Sequence, residues 1–312
     1  MNGKFCASDF TYVIKTKECL LTRYLYYMFK FVDWIPMSSG TTMKGLKRDV
    51  LLNRDIILPS IPIQELIVTN LDRIFSNPDD MADTMAFTTR AIDIMLKDPT
   101  GATLEDVVNG LRMKRAYLAS VESLKSQMAA VMRSVGASGY EHKFIADICD
   151  YKNGSTLDKT EKNDIGLYNV MGGGMNYVGK YNQYNRDGYT ITISKSGASA
   201  GFVKEHDGRF WAGDCFSIYP KSESLLQKYL YYIFKLNPTI TTSKITGSTI
   251  PHCKWSDICD TEIPIPPLTV QQKVLTILNT MEAERITLEQ MAEKATVRAK
   301  YILDGYLTTT SS

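Results

Sequence analysis

Four short stretches in the second half of the chain place cations, amides, hydroxyls and glycines on turns. That is the equipment for touching a polyanion and the edges of bases. Lys152-Asn153-Gly154-Ser155 offers an ammonium, an amide and a hydroxyl within one turn. An asparagine amide can pair bidentately with adenine, and a lysine can donate to guanine or to phosphate. Gly172-Gly173-Gly174 lets backbone N–H groups come close to a ligand. Tyr177, Lys180 and Tyr181 alternate aromatic rings with a donor, and Ser194-Lys195-Ser196-Gly197 adds two hydroxyls and another cation. The same residue types are also the ordinary content of turns and solvated surfaces. Composition alone therefore leaves two readings open, a nucleic-acid face or plain loops.

Other chemistries lack their residues. The glycine run follows a strand-like segment, but neither G-x-G-x-x-G nor a Walker pattern is present. His142, His206 and His252 have no partner that would make a nucleophile–base pair. The chain has no Asn-Pro-Pro-aromatic motif for methylating a base amino group and no acidic–acidic–Lys set for a metal-dependent nuclease. Of six cysteines only Cys253 and Cys259, beside His252, lie close together, and no second pair completes a tetrahedral zinc site. The expectation is free thiols, no metal, no cofactor and no catalysis. The net charge of +2 restricts any polyanion contact to local patches. The front of the chain carries no secretory pattern, and no apolar run approaches the ~20 residues needed to span a bilayer. A reducing cytoplasm is the expected setting, with no membrane partner.

Residues 140–268 must position these loops. A short strand over Ile165–Val170 leads into the glycine turn. An aromatic, polar loop over Asn176–Asn185 follows, and then a strong strand over Tyr189–Ser194. Strands and one main helix mix without a βαβ rhythm, so the domain is read as α+β. Upstream, the spacing predicts helices over Leu20–Phe31, Ile63–Phe75, Met81–Leu96 and Leu111–Val135, with a turn at Asp98–Gly101 and Thr103 as a cap. The last helix carries Leu118, Val121, Leu124, Met128, Val131 and Val135 near heptad spacing. The C-terminal segment, opened by Thr269 as N-cap, repeats Val274, Ile277, Met281, Leu288, Met291, Ala295 and Ile302. Both patterns argue for a coiled-coil-like seam.

One segment occurs twice. Residues 2–30 align without a gap to residues 207–235, with 13 of 29 positions identical, among them Asp9/Asp214, Tyr24/Tyr229 and Tyr27/Tyr232. At an offset of 207 the unit continues: Gly40 matches Gly247, Pro59 matches Pro266 and Gln64 matches Gln271. Gly3–Ile14 reads as a strand in the first copy. The period is that of a domain plus connector, not of a solenoid turn.

With these motifs in view, the chain resembles the DNA-specificity subunits of type I restriction–modification systems. The residues that carry the resemblance are FIADICDYKNGST, YNVMGGGMNYVGKYNQYN, YTITISKSGASAGFV, FWAGDCFSIYP, YLYYIFK, ITGSTIPHC and IPIPPLTVQQKVLTIL. It implies target-recognition domains joined to long antiparallel spacer helices. Residues 1–61 would be the C-terminal half of a first recognition domain, incomplete at its front. Residues 62–136 would be a helical spacer with an insertion around 77–110, residues 137–268 a complete recognition domain, and residues 269–306 a C-terminal spacer helix. It further implies a non-catalytic subunit that reads one or two half-sites in double-stranded DNA and docks DNA adenine methyltransferase subunits. A restriction subunit with endonuclease and translocase activity, self-association, or an upstream half-subunit would complete the set of partners. The alternative is a degenerate subunit that serves only as a helical protein-interaction scaffold.

Overall fold

The computed structural model describes residues 14–31, 49, 53, 55–158, 165–245 and 250–308. The strand expected over Gly3–Ile14 lies, apart from Ile14, outside the described residues. So does the Gly40/Gly247 pair. The chain divides into two compact units, one of residues 1–119 with 288–312, the other of residues 120–287.

In the first unit, α1 (Thr22–Lys30) lays Tyr24, Tyr27 and the following Phe31 against Ile67, Leu71 and Ile74 of α2 (Ile61–Ile74). The side chain that ties them is Gln64, wholly buried. Its Oε1 accepts from the Leu21 N–H at 2.9 Å, and its Nε2 donates to the carbonyls of Cys19 at 2.9 Å and Pro59 at 2.8 Å. The N-cap of α1, Leu21, has no polar side chain to offer the first turn. Its own N–H, just outside the helix, is the one that the glutamine satisfies. Two further helices, α3 (Pro78–Phe87) and α4 (Ala91–Lys97), fill the stretch for which the sequence predicts a single helix. Asn77 caps α3 through the Asp79 N–H. The buried carboxylate of Asp80 is gripped by Arg112 at 2.6 Å and Arg115 at 2.8 Å, both from α5 (Ala102–Gly136). The cap of α5 differs from the expectation: Asp98 accepts from the Thr103 N–H and Thr100 from the Ala102 N–H. Thr103 is itself inside the first turn, so it cannot be the cap.

The described residues of the second unit form three sheets. β1 (His142–Phe144) pairs antiparallel with β9 (Glu262–Pro264). A four-stranded antiparallel sheet has the order β2 (Cys149–Asn153), β8 (Cys215–Pro220), β5 (Thr190–Ser194), β6 (Val203–His206). A three-stranded sheet has the order β4 (Tyr177–Tyr181), β3 (Tyr168–Met171), β7 (Phe210–Ala212), with β3 and β7 parallel. The stretch read as an aromatic loop thus contains β4. Its mostly exposed edge position leaves no buried alternation to betray it. Short helices α6 (Ile145–Ile148), α8 (Thr239–Thr242) and α9 (Trp255–Ile258) flank the sheets. The main helix, α7 (Gln227–Leu236), packs Tyr229, Leu230, Tyr232, Ile233 and Phe234 into a core with Ile191, Ile193, Phe216 and Ile218.

The last helix, α10 (Leu268–Thr308), begins two residues after Pro266, so Thr269 lies within its first turn and is not its cap. Its wholly buried Gln271 repeats the bonds of Gln64. Oε1 accepts from Leu226 N at 2.9 Å, and Nε2 donates to the carbonyls of Ser224 at 2.8 Å and Pro266 at 2.9 Å. The tyrosines repeat as well. Tyr24 donates to the Ile57 carbonyl and Tyr229 to that of Pro264, while Tyr27 donates to Asp72 and Tyr232 to Asn279. The repeated segment is therefore a helix-docking frame built twice.

Each unit also contains its own stretch of the α5–α10 pairing. In the first, Leu104 and Val108 share a core with Leu303, and a Cβ on Gly110 would lie 3.1 Å from Ala299 and 3.3 Å from the Ala295 carbonyl. Met113 and Tyr117 line a groove with Met291 and Lys294, so the helices run antiparallel there. In the second, Met128, Met132 and Val135 share a core with Val274 and Leu278. The buried stripe of α10 is thus Gln271, Val274, Leu278, Ala292, Ala295, Ala299 and Leu303. Ile277 and Met291 are exposed, as is Leu118 on α5, contrary to the heptads read from the sequence. Close approach to a glycine demands small side chains; the pattern caught Ala295 but passed over Ala292 and Ala299.

Two stability measurements test this frame. Gln271→Leu keeps the volume but leaves the part-buried Leu226 N–H and two carbonyls without that partner, a loss of about 1–3 kcal/mol. The urea midpoint followed by circular dichroism should drop, and an unchanged midpoint would contradict the role given to the amide. Glu282 supplies the second. Burial alone would raise its carboxyl, but hydrogen bonds from Arg285 and Lys235 outweigh it and hold the pKa at about 2. A carboxyl depressed on folding stabilises above its unfolded value and loses that contribution as pH falls through the folded one. The midpoint should therefore decline between about pH 4.5 and pH 2, and Glu282→Gln should flatten that decline.

Candidate nucleic-acid interface

β2 and β5 both run antiparallel to β8, so they run parallel to each other with β8 between them. Asn153 and Ile193 flank Phe216, while the Gly154 N–H bonds the Cys215 carbonyl that Ser194 faces in register. The Lys152–Ser155 and Ser194–Gly197 loops consequently leave the sheet at the same end, two strand spacings or ~10 Å apart.

Between them sits the β7–β8 turn, Gly213-Asp214. The Gly154 position touches this turn so closely that a Cβ there would lie 2.1 Å from the Gly213 carbonyl. Ser155 N bonds the Ala212 carbonyl, and its own carbonyl accepts from the Trp211 indole at 2.6 Å. From the other side, Gly213 N bonds the Met171 carbonyl, Lys195 N bonds the Asp214 carbonyl, and the Ser196 hydroxyl donates to the Asp214 carboxylate. Ser194 Oγ donates to the Gly174 carbonyl at 3.3 Å. Three of the four stretches marked in the sequence thus converge on one turn.

Their glycines do different jobs. Gly172 packs on the Val178 side chain and Gly173 on Asp214, which is fold, not ligand approach. Gly174 and Gly197 face open space, and Gly197 has a φ of +82°, a backbone state that favours glycine. The fourth stretch lies on β4. Lys180 is exposed there, and Tyr181 meets Trp211 edge-on at 5.1 Å. Tyr177 turns inward: its hydroxyl is 3.0 Å from Nδ1 of the buried His206, whose Nε2 is 2.8 Å from Thr192 Oγ1. Burial first, and the nearby Lys204 second, push the His206 pKa down to about 3, so the ring is neutral and structural. Lys204 stands 4.2 Å over the Tyr177 ring.

The electrostatics favour an anion. Among the described residues no carboxylate pairs with the ammonium groups of Lys152, Lys180 or Lys195. Nor does any hydrogen bond within the described residues occupy the Lys152 or Asn153 side chain, and both residues are exposed. Asp214, in contrast, is spent on Ser196. Sequence reasoning missed Asp214, although its identity with Asp9 in the repeat was a visible signal. It also missed Arg186, Asn185 and Trp211, which hold the loops from beneath. Cys149, Cys215 and Cys253 are buried, and burial pushes each thiol up to about 12, well away from a reactive thiolate.

Glycine substitutions separate frame from face. Gly154→Ala should lower stability by at least about 2 kcal/mol through overpacking against the β7–β8 turn. Gly174→Ala, with no neighbour within 4 Å, should leave the melting temperature within a degree or two. Thermal unfolding followed by circular dichroism checks both.

Comparison with known proteins fits this geometry. The family model of the type I restriction modification DNA specificity domain matches residues 1–80 and 137–299. A type I restriction enzyme specificity subunit from Haemophilus influenzae is 26% identical over 284 residues, covering 90% of this chain and 69% of its own length. A type I specificity subunit from Mycoplasma pneumoniae is 27% identical over 165 residues, 52% of this chain, and this alignment spans only 43% of that relative. Among solved structures, the S subunit of the type I restriction–modification system of M. genitalium superposes with a TM-score of 0.51 at 15% identity, covering 92% of this chain and 73% of that one. A chain from a study of complex assembly in a type I system gives a TM-score of 0.53, also at 15% identity, over 91% of this chain and 70% of its own. At that identity the structures speak for the fold, a mixture of strands and helices with long helices, while the family model speaks for descent: the chain belongs to the type I restriction–modification DNA specificity domain family.

Proposed function

We propose that the second unit reads double-stranded DNA by sequence and that the chain serves a type I restriction–modification complex as its non-catalytic specificity subunit. The observation that carries this reading is the convergence of Lys152–Ser155, Gly172–Gly174 and Ser194–Gly197 on one turn, with an exposed asparagine and lysines that meet no carboxylate among the described residues at the same end of the sheet. Those lysines supply phosphate attraction, and Asn153 and Lys152 supply donors to base edges. Lys180 and the Tyr181–Trp211 pair extend the face along β4.

The assembly follows from the same reading. DNA adenine methyltransferase subunits dock on the chain and supply the chemistry that it lacks, and a restriction subunit joins them on the DNA. The complex works in the cytoplasm. Among the described residues no helix is long and apolar enough to cross a membrane. Element boundaries at Ile61, Gly136 and Leu268, each within a residue of a limit, support the domain limits 1–61, 62–136, 137–268 and 269–306.

Methylation mapping in the native cell tests the function. Deleting the gene should abolish a modified sequence motif, and an unchanged methylome would favour a scaffold that no longer reads DNA. Binding tests the residues. Lys152→Ala and Lys195→Ala should each weaken binding to a duplex carrying that motif and lower the slope of log K against log salt by about one per phosphate that the lysine neutralises. Unaltered affinity at low salt would remove both from the interface.

A further inference from the structure

Beneath the Lys152–Ser155 loop lies a cation that the reading above does not use. Arg186 is 3% exposed, and its guanidinium makes four hydrogen bonds, every one to a neutral acceptor. Nε donates to Ser217 Oγ at 2.8 Å and Nη1 to its neighbour's carbonyl, that of Asn185, at 2.8 Å. Nη2 donates to two consecutive carbonyls, Lys152 at 2.9 Å and Asn153 at 2.7 Å. Among the described residues no carboxylate pairs with it. Burying a charge without a counter-ion is costly, and an apolar side chain of similar volume would hold the sheet at lower cost. The arginine therefore does something that packing does not require.

Its geometry says what. Successive carbonyls of an extended strand point to opposite sides. Lys152 and Asn153 stay in register with Ser217 and Phe216 yet bring theirs to one nitrogen, a local break in that alternation where β2 ends. Arg186 fixes that departure. It is itself fixed: its N–H and carbonyl both bond Phe210, and the Asn185 amide brackets the Ala212 backbone at 2.7 and 3.0 Å. A planar fork with preset donor directions can impose such a bend, whereas an ammonium cannot.

We infer that Arg186 is the positioning residue for base discrimination by Lys152 and Asn153: it aims their side chains, and so sets specificity more than phosphate affinity. This rests on the DNA-reading role proposed above. The test uses Arg186→Lys, which keeps the charge and loses the fork, and Ser217→Ala, which removes one strut and spares the charge. A target duplex is selected from a randomised library with the full chain, and a scrambled duplex of equal length serves as reference. Arg186→Lys should lower the ratio of the two affinities by about ten-fold or more, leave the salt slope on the scrambled duplex unchanged, and make a further Asn153→Ala change cost little. Ser217→Ala should move the ratio the same way by less. Undiminished discrimination in Arg186→Lys, or a full additional loss from Asn153→Ala on that background, overturns the inference. Amide exchange needs no DNA: Gly154 and Ser155 N–H groups should exchange at least about ten-fold faster in Arg186→Lys while Ile191 and Ile193 stay protected. Retained protection at Gly154 and Ser155 also overturns it. Should the unaltered chain enrich no sequence, the DNA-reading role fails, and exchange alone then judges the aim of Arg186.

Discussion

A single buried amide holds each copy of the repeated frame together. In either unit a backbone N–H just outside the aromatic helix needs a partner, and that helix arrives beside the first turn of a second helix. Both problems are solved by one glutamine, Gln64 or Gln271, which accepts from the first and donates to two carbonyls flanking the junction. Everything larger follows from that junction. It sets where Tyr24 and Tyr229 reach a carbonyl, which side of the aromatic helix enters the core, and, in the second unit, which face of the sheet that helix covers.

The proposed reading face inherits its order from the same core. β5 is buried along its whole length, and β8 pairs with it on one side and with β2 on the other. Loops that are far apart in sequence therefore emerge together, separated only by the β7–β8 turn. That turn is crowded by Gly154 and Gly173 and anchored by Asp214. Rigid support beneath exposed donors is what discrimination between bases demands, since a donor free to wander pays its ordering cost at each encounter.

Much of the frame was legible from the residues. The aromatic stripe of YLYYIF announced its helix, the β-branched run Thr190–Ser194 announced its strand, and the repeat announced that the two helices dock alike. The seam between the long helices was legible, Ala295 included, but its register was only partly so: Ala292 and Ala299 are buried where the pattern chose Ile277 and Met291. β4 was missed because an edge strand lacks buried alternation. In the site, lysines and asparagine could be nominated from type alone, but Arg186 could not. An arginine within a polar stretch reads as solvated, and only the fold reveals that four neutral acceptors surround it. His206 likewise carries no sign in the sequence that it is a neutral core residue stacked on Phe210 at 3.7 Å.

Among the described residues the two glutamines bond nothing but main chain. Every partner they have is an N–H or a carbonyl, a group that any amino acid other than proline provides in full. Position 19 is a cysteine in one copy and its counterpart, position 224, a serine in the other, and the bond is the same. A joint made this way places almost no demand on the identity of the residues around it. Surface composition can drift, and loops can be exchanged for others, while the joint keeps its dimensions. The shape of the frame is thereby set by main chain, and its surface is left to other duties.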